Sequence, residues 1–90
     1  MPAKAVWLEI DGEFVARALQ EALKKLNGAG GEVVLDFSSV HRIDASALRA
    51  MESFVSTVDG KAKLALQGVN IDVYKVLKLM KLSRRFSFLT

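Results

Sequence analysis

Residues 33–48 read VVLDFSSVHRIDASAL, and the hydrophobic period changes within this stretch. With Glu32 in front, its first part is a short apolar run, Glu32 to Phe37. Such a run suits a strand buried on both faces of a parallel sheet better than a half-exposed one. Asp36 falls near its end. A loop from Ser38 to Ile43 follows, and Asp44 offers the side-chain oxygen that satisfies the unpaired amides of a helix start. The spacing then predicts a helix from about Ala45 to Val58. Leu48, Met51, Val55 and Val58 form its inner stripe, and Arg49, Glu52 and Ser56 face outward.

Strand, loop and helix recur on either side of this unit. Upstream, Val6, Leu8 and Ile10 alternate with Trp7 and Glu9, which predicts a strand over Val6–Ile10. Asp11 and Gly12 turn the chain into a helix from about Phe14 to Leu26, with Val15, Ala18, Leu19, Ala22, Leu23 and Leu26 on one face. Asn27 to Gly31 (NGAGG) stops it, because Asn and Gly tolerate the left-handed backbone of a helix end. Downstream, Asp59-Gly60 is a turn and Ala62–Gln67 is a third strand. Asn70 caps a helix over Ile71–Met80 whose core side is Val73, Val76, Leu77 and Met80. Arg85–Leu89 alternates Phe86 and Phe88 against Ser87, as a last edge strand would. The order β-α-β-α-β-α-β defines an α/β sandwich, a mainly parallel four-stranded sheet with three crossover helices. Ninety residues suit a single domain spanning 1–90.

Composition narrows the function classes. The chain is 51% hydrophobic with a single proline, which argues against extensive disorder, and no apolar run approaches the length of a membrane helix. The opening MPAKAVWLEI does not read as a secretory signal, so the cytoplasm is the expected location. Without cysteine there is no disulfide, thiolate nucleophile or Cys-ligated metal. One histidine, His41, has no second histidine to complete a metal set or a relay, and beside Arg42 it reads as a solvated loop residue. Gly28 to Gly31 precedes a strand, whereas phosphate-binding loops follow one and open a helix. Asp36 and Asp44 sit near the strand ends where open α/β sheets present ligands, but two carboxylates make a weak magnesium site. No enzyme and no cofactor is expected.

Charge is unevenly placed. Residues 1–45 hold 5 basic and 7 acidic groups, net −2, while residues 46–90 hold 8 and 3, net +5. Lys75, Lys78 and Lys81 stand three apart along the last helix, a stripe suited to an acidic protein surface. Nucleic acid is not expected, since only Tyr74 interleaves with these bases.

At Val33–Leu48 the chain resembles the STAS family, the domain of bacterial anti-sigma factor antagonists. The family shows a hydrophobic strand ending in Asp, a loop, and Asp-Ser-Ser-Gly at the start of the second helix. Val33, Val34, Leu35 and Asp36 match the strand, and Ile43-Asp44 matches the approach. Ser46 aligns with the serine that family members have phosphorylated. LEIDGEF is similar to the early strand-Gly element, and LALQGVNIDVYKVLKLMKLSRRF to the last strand–helix–strand section. Ala45 and Ala47 replace a serine and a glycine, Lys81 stands where a glycine is common, and the N-terminus is short by the family's first strand. Val6–Ile10 is then an unprotected edge, open to an edge-paired or strand-exchanged homodimer.

The resemblance implies a non-catalytic regulatory module. Its partner would be a kinase-type anti-sigma factor, docked through Asp36, Arg42, Asp44, Ala47 and Arg49 and switched by phosphorylation at Ser46. The alternative is a small accessory subunit of a lipid-transport ABC complex, partnered by its ATPase and lacking the switch. Independently of the family, Ser46 falls in the first turn after the Asp44 cap, where the helix dipole favours negative charge.

Overall fold

The structure is a computed structural model that describes residues 5–26, 31–58 and 60–89. The elements run β1 (Ala5–Glu9), α1 (Val15–Leu26), β2 (Glu32–Asp36), α2 (Ala45–Val58), β3 (Lys63–Gln67), α3 (Ile71–Leu79) and β4 (Ser87–Leu89), with a 3-10 turn at Ser83–Arg85 before β4. The four strands form one sheet in the order β1-β2-β3-β4, every pair parallel. The expected α/β sandwich with three crossover helices is therefore the observed fold. Part of the glycine-rich stop after α1 and Asp59 of the following turn lie outside the described residues.

One register row runs Leu8, Leu35, Leu66, Phe88. With Val33 and Leu64, these side chains share a single core with Leu19 of α1, Met51 and Phe54 of α2, and Val73 and Leu77 of α3. All three helices thus cover the same sheet face, as consecutive right-handed crossovers between neighbouring strands require. The opposite row, Trp7, Val34, Ala65, Ser87, mixes an exposed Trp7 with a buried Val34 and Ala65. Each fully buried Leu or Phe contributes roughly 1.5–3 kcal/mol of transfer free energy, so this one-sided core carries most of the stability.

Three expectations need correction. Met80, placed on the core side of α3, is 48% exposed, while Leu82 is buried in its stead. The helix ends at Leu79 because Lys81 turns into the left-handed region at φ 62°. The Lys81 amide then donates to the Lys78 carbonyl at 3.1 Å, and the Leu82 amide to the Leu77 carbonyl at 2.8 Å. This is a Schellman end, sealed by the buried Leu77 and Leu82. The last strand is shorter than Arg85–Leu89, since Ser83–Arg85 coils before Phe86 enters the core. The inner stripe of α2 gains Ala47 and Phe54, and Leu48 lies only partly within it.

Candidate functional site

The turns that follow β1, β2 and β3 meet at the C-terminal end of the sheet. Two backbone bonds extend the ladders past the strands: the Ile10 amide donates to the Asp36 carbonyl at 3.0 Å, and the Phe37 amide to the Gln67 carbonyl at 2.8 Å. The β2–α2 loop is pinned by its apolar residues, because Phe37 and Val40 are fully buried and Ile43 packs against the core. Ser38, Ser39, His41 and Arg42 are left on the surface.

Two glycines allow the neighbouring turns to close in. A methyl group on Gly12 would sit 2.0 Å from the Ser39 carbonyl oxygen, so the β1–α1 turn touches the loop backbone to backbone. Gly68, at φ +72°, approaches Ser38 closely from the other side. Asn70 completes the tie. Its Oδ1 accepts from the Val73 amide at 2.8 Å and caps α3, while its Nδ2 donates to the Val40 and His41 carbonyls at 3.3 and 3.2 Å.

Asp36 is occupied inside this frame. Its Oδ1 accepts from the Ser38 amide at 3.0 Å and from the Ser38 hydroxyl. The hydroxyl first, then the amide, hold the Asp36 carboxyl below the usual aspartate range. Asp44 behaves as the cap the sequence predicts. Its Oδ1 accepts from the Ala47 amide at 2.8 Å, and its carbonyl accepts the first helical bond, from Leu48 at 3.0 Å. Ala45 and Ser46 are thereby the first-turn positions whose amides a helix start leaves unused.

Ser46 is exposed, and its hydroxyl takes part in no hydrogen bond among the described residues. It opens onto a groove of about 530 Å³ between the starts of α1 and α2, lined also by Glu13, Phe14, Arg17, Arg42 and Asp44. The groove is charge-balanced, with Arg17 and Arg42 against Glu13 and Asp44. Phe14 is half-exposed there, an apolar side chain beside the serine.

Of the residues expected at a partner surface, Arg42, Asp44, Ser46 and Ala47 come together in this groove, and Asp36 stays in the loop frame. Ala47 forms part of the groove floor, being 3% exposed and packed in the core. Arg49 is exposed on α2 but does not line the groove. Lys75, Lys78 and Lys81 are exposed on and just beyond α3, also away from it. Sequence reasoning missed Phe14, which it had placed in the helix, and the second role of Asn70. The aromatic could have been found, since it sits one residue ahead of the first core position of α1. His41 is the solvated loop residue expected of it.

A one-faced parallel α/β sandwich, with its turns gathered around a capped second helix, defines the class of fold. The chain belongs to the STAS domain family, whose profile matches residues 6–90. Three solved structures show the same fold. A sulfate transporter family protein from Wolinella succinogenes superposes with a TM-score of 0.78 at 24% identity, over 93% of this chain and 75% of that one. The NMR structure of the protein TM1081 gives a TM-score of 0.74 at 22% identity, over 94% and 73%. The crystal structure of the same protein, a candidate anti-sigma factor antagonist from Thermotoga maritima, gives 0.64 at 23%, over 98% and 74%. The comparison with curated proteins finds no match. No helix among the described residues is long and apolar enough to cross a membrane.

Proposed function

We propose that this STAS domain is a non-catalytic regulatory module that docks a protein partner over the groove at the start of α2 and is switched by phosphorylation of Ser46. The observation that carries this reading is the state of Ser46, exposed on a helix start whose capping is done entirely by Asp44. A residue with no structural duty can change its charge without unfolding its surroundings. The partner is a kinase-type anti-sigma factor, and on this reading the module acts on transcription in the bacterial cytoplasm. The kinase brings ATP; the Ser46 oxygen attacks the γ-phosphorus, the bond to the β-bridging oxygen breaks, ADP leaves, and a base of the kinase takes the hydroxyl proton.

The phosphoryl group places nearly two negative charges beside the free amides of the first turn, which accept them, and beside Asp44, which repels them. Phe14 provides an apolar anchor for the unmodified complex, and Arg42 and Asp44 its polar rim. Added charge under such a contact exceeds what Arg17 and Arg42 balance against Glu13 and Asp44, costs several kcal/mol once buried, and separates the complex.

Incubation of the chain with ATP and the candidate kinase, followed by intact mass, tests this directly. One phosphoryl group is expected on the parent and none on Ser46→Ala. Ser46→Asp should bind the partner more weakly than the parent, and undiminished binding would remove the groove from the interface.

One other reading is an accessory role in a transport complex such as a lipid-transport ABC assembly; a fold shared with a sulfate transporter family protein is compatible with a role in transport. There, Ser46→Ala alone would weaken binding and ATP would release nothing.

A further inference from the structure

The structure assigns α3 a second surface, independent of Ser46: we propose that its outer face docks on an anionic lipid bilayer. Ile71, Lys75, Lys78 and Leu79 stand at i, i+4, i+7 and i+8 and therefore share one side of the helix, opposite the buried Val73 and Leu77. Ile71 is 69% exposed and Leu79 is 82% exposed. The Schellman end turns Met80 outward and carries the chain on to Lys81, extending the same mixture of apolar and basic side chains. Of the seven large apolar side chains exposed among the described residues, four lie on α3 or its cap. That concentration needs an explanation that a solvated helix face does not give.

Charge and residue type choose the occupant. A second copy would bring Lys75, Lys78 and Lys81 against their own counterparts. Asp72, the only carboxylate of the helix, lines the groove with His41 and Arg42 instead. The occupant is therefore anionic. An acidic protein surface fits less well than lipid, because lysine is depleted from protein interfaces, where arginine and aromatic residues concentrate. Tyr74, the aromatic residue of α3, is already engaged edge-on by Phe88 at 5.1 Å. Leu79 and Met80 protrude among the lysines, and Ile71 borders an apolar cleft with Val69, Tyr74, Phe88 and Leu89. This mixture matches a bilayer surface: the aliphatic tips enter the acyl boundary and the lysine stems snorkel to the headgroups.

The test uses the 90-residue chain in co-sedimentation with vesicles of phosphatidylcholine alone and of phosphatidylcholine with phosphatidylserine. The parent should partition strongly only onto the mixed vesicles, and less at high salt. Neutralising Lys75, Lys78 and Lys81 together with Gln should lower partitioning about fivefold per lysine, on the order of a hundredfold in all. Leu79→Ser should lower it about tenfold through lost apolar contact. These side chains are exposed, so thermal unfolding of each variant should follow the parent within the scatter of surface substitutions. Ser46→Ala should sediment like the parent, which separates this surface from the proposed switch. Equal binding to both vesicle types, no sedimentation, or an unchanged partition for the Gln triple or for Leu79→Ser would each overturn the proposal.

Discussion

Replacing Lys81 with glycine should make this protein more stable, although it removes a side chain and adds no contact. Lys81 sits at φ 62°, where an L side chain crowds the backbone at a cost of roughly 1–2 kcal/mol. The position is fixed by its neighbours, because the bonds from Lys81 to Lys78 and from Leu82 to Leu77 both require that turn. Glycine removes the crowding, but it also loosens the unfolded chain, which offsets about 0.4–1 kcal/mol of the gain. The net gain is about 1 kcal/mol, which for a domain of this size raises the unfolding midpoint by about 4–8 °C. In urea the same change moves the midpoint by about 0.3–1 M.

Lys81→Ala is the control that isolates the backbone. It removes the same charge and most of the same side chain but keeps the β-carbon, so its midpoint should stay close to the parent. Lys81→Asn should fall between the two, since asparagine tolerates this region better than most residues. The reasoning fails if Gly and Ala shift the midpoint equally, because the gain would then come from the lost charge.

Three further perturbations probe the frame beneath Ser46. Asn70→Asp keeps the oxygen that caps α3 but turns a carboxylate toward the Val40 and His41 carbonyls, so stability measured in urea should fall by about 1–3 kcal/mol, whereas Asn70→Ser should lose less. Gly12→Ala forces a methyl against the Ser39 carbonyl and should cost about 1–3 kcal/mol, with accelerated amide exchange in the β1–α1 turn as the local signature. Ser38→Ala should let the Asp36 pKa rise toward its ordinary value near 3.8, read by NMR titration. Because the folded pKa is depressed, the hydroxyl stabilises at neutral pH and this contribution is lost as pH falls through the folded pKa. The parent and Ser38→Ala should then differ by a few tenths of a kcal/mol to about 1 at pH 7, and converge in acid.

The elements were legible because their periods were clean. EVVLDF suited a buried strand, observed over Glu32–Asp36, and Asp44 and Asn70 each made the capping bond that their positions predict. Met80 was misread because the helical period, continued one residue too far, still points inward from Val76 and Leu77. Only the left-handed Lys81 stops it, and the signal available was a glycine position of the family filled by lysine. Ala47 was legible in principle, since it stands four residues before Met51 and eight before Val55 on the inner stripe. The resemblance pointed instead to its place beside Ser46, where it also lines the groove. What no local pattern shows is which turns meet. The contact of Gly12 with Ser39, and the reach of Asn70 across to Val40 and His41, depend on strand order and register.

That meeting of turns bears on the proposed charge switch at Ser46. The loop leading to α2 is held from below by Phe37 and Val40, from one side by the Gly12 turn, and from the other by Asn70. Asp36 fastens its first residue, and Asp44 fastens the helix start. The side chains that shape the loop and the helix start, Asp36, Asp44 and Asn70, are therefore satisfied without Ser46. A modification there changes the potential over Phe14, Arg42 and Asp44 while the bonds that define the backbone stay as they were. The converse also holds. Had Ser46 been the cap in place of Asp44, phosphorylation would have rearranged the helix start itself, and binding and folding would change together. Here they are separable, so on the proposed reading phosphorylation would lower partner affinity by several kcal/mol while the domain stays folded.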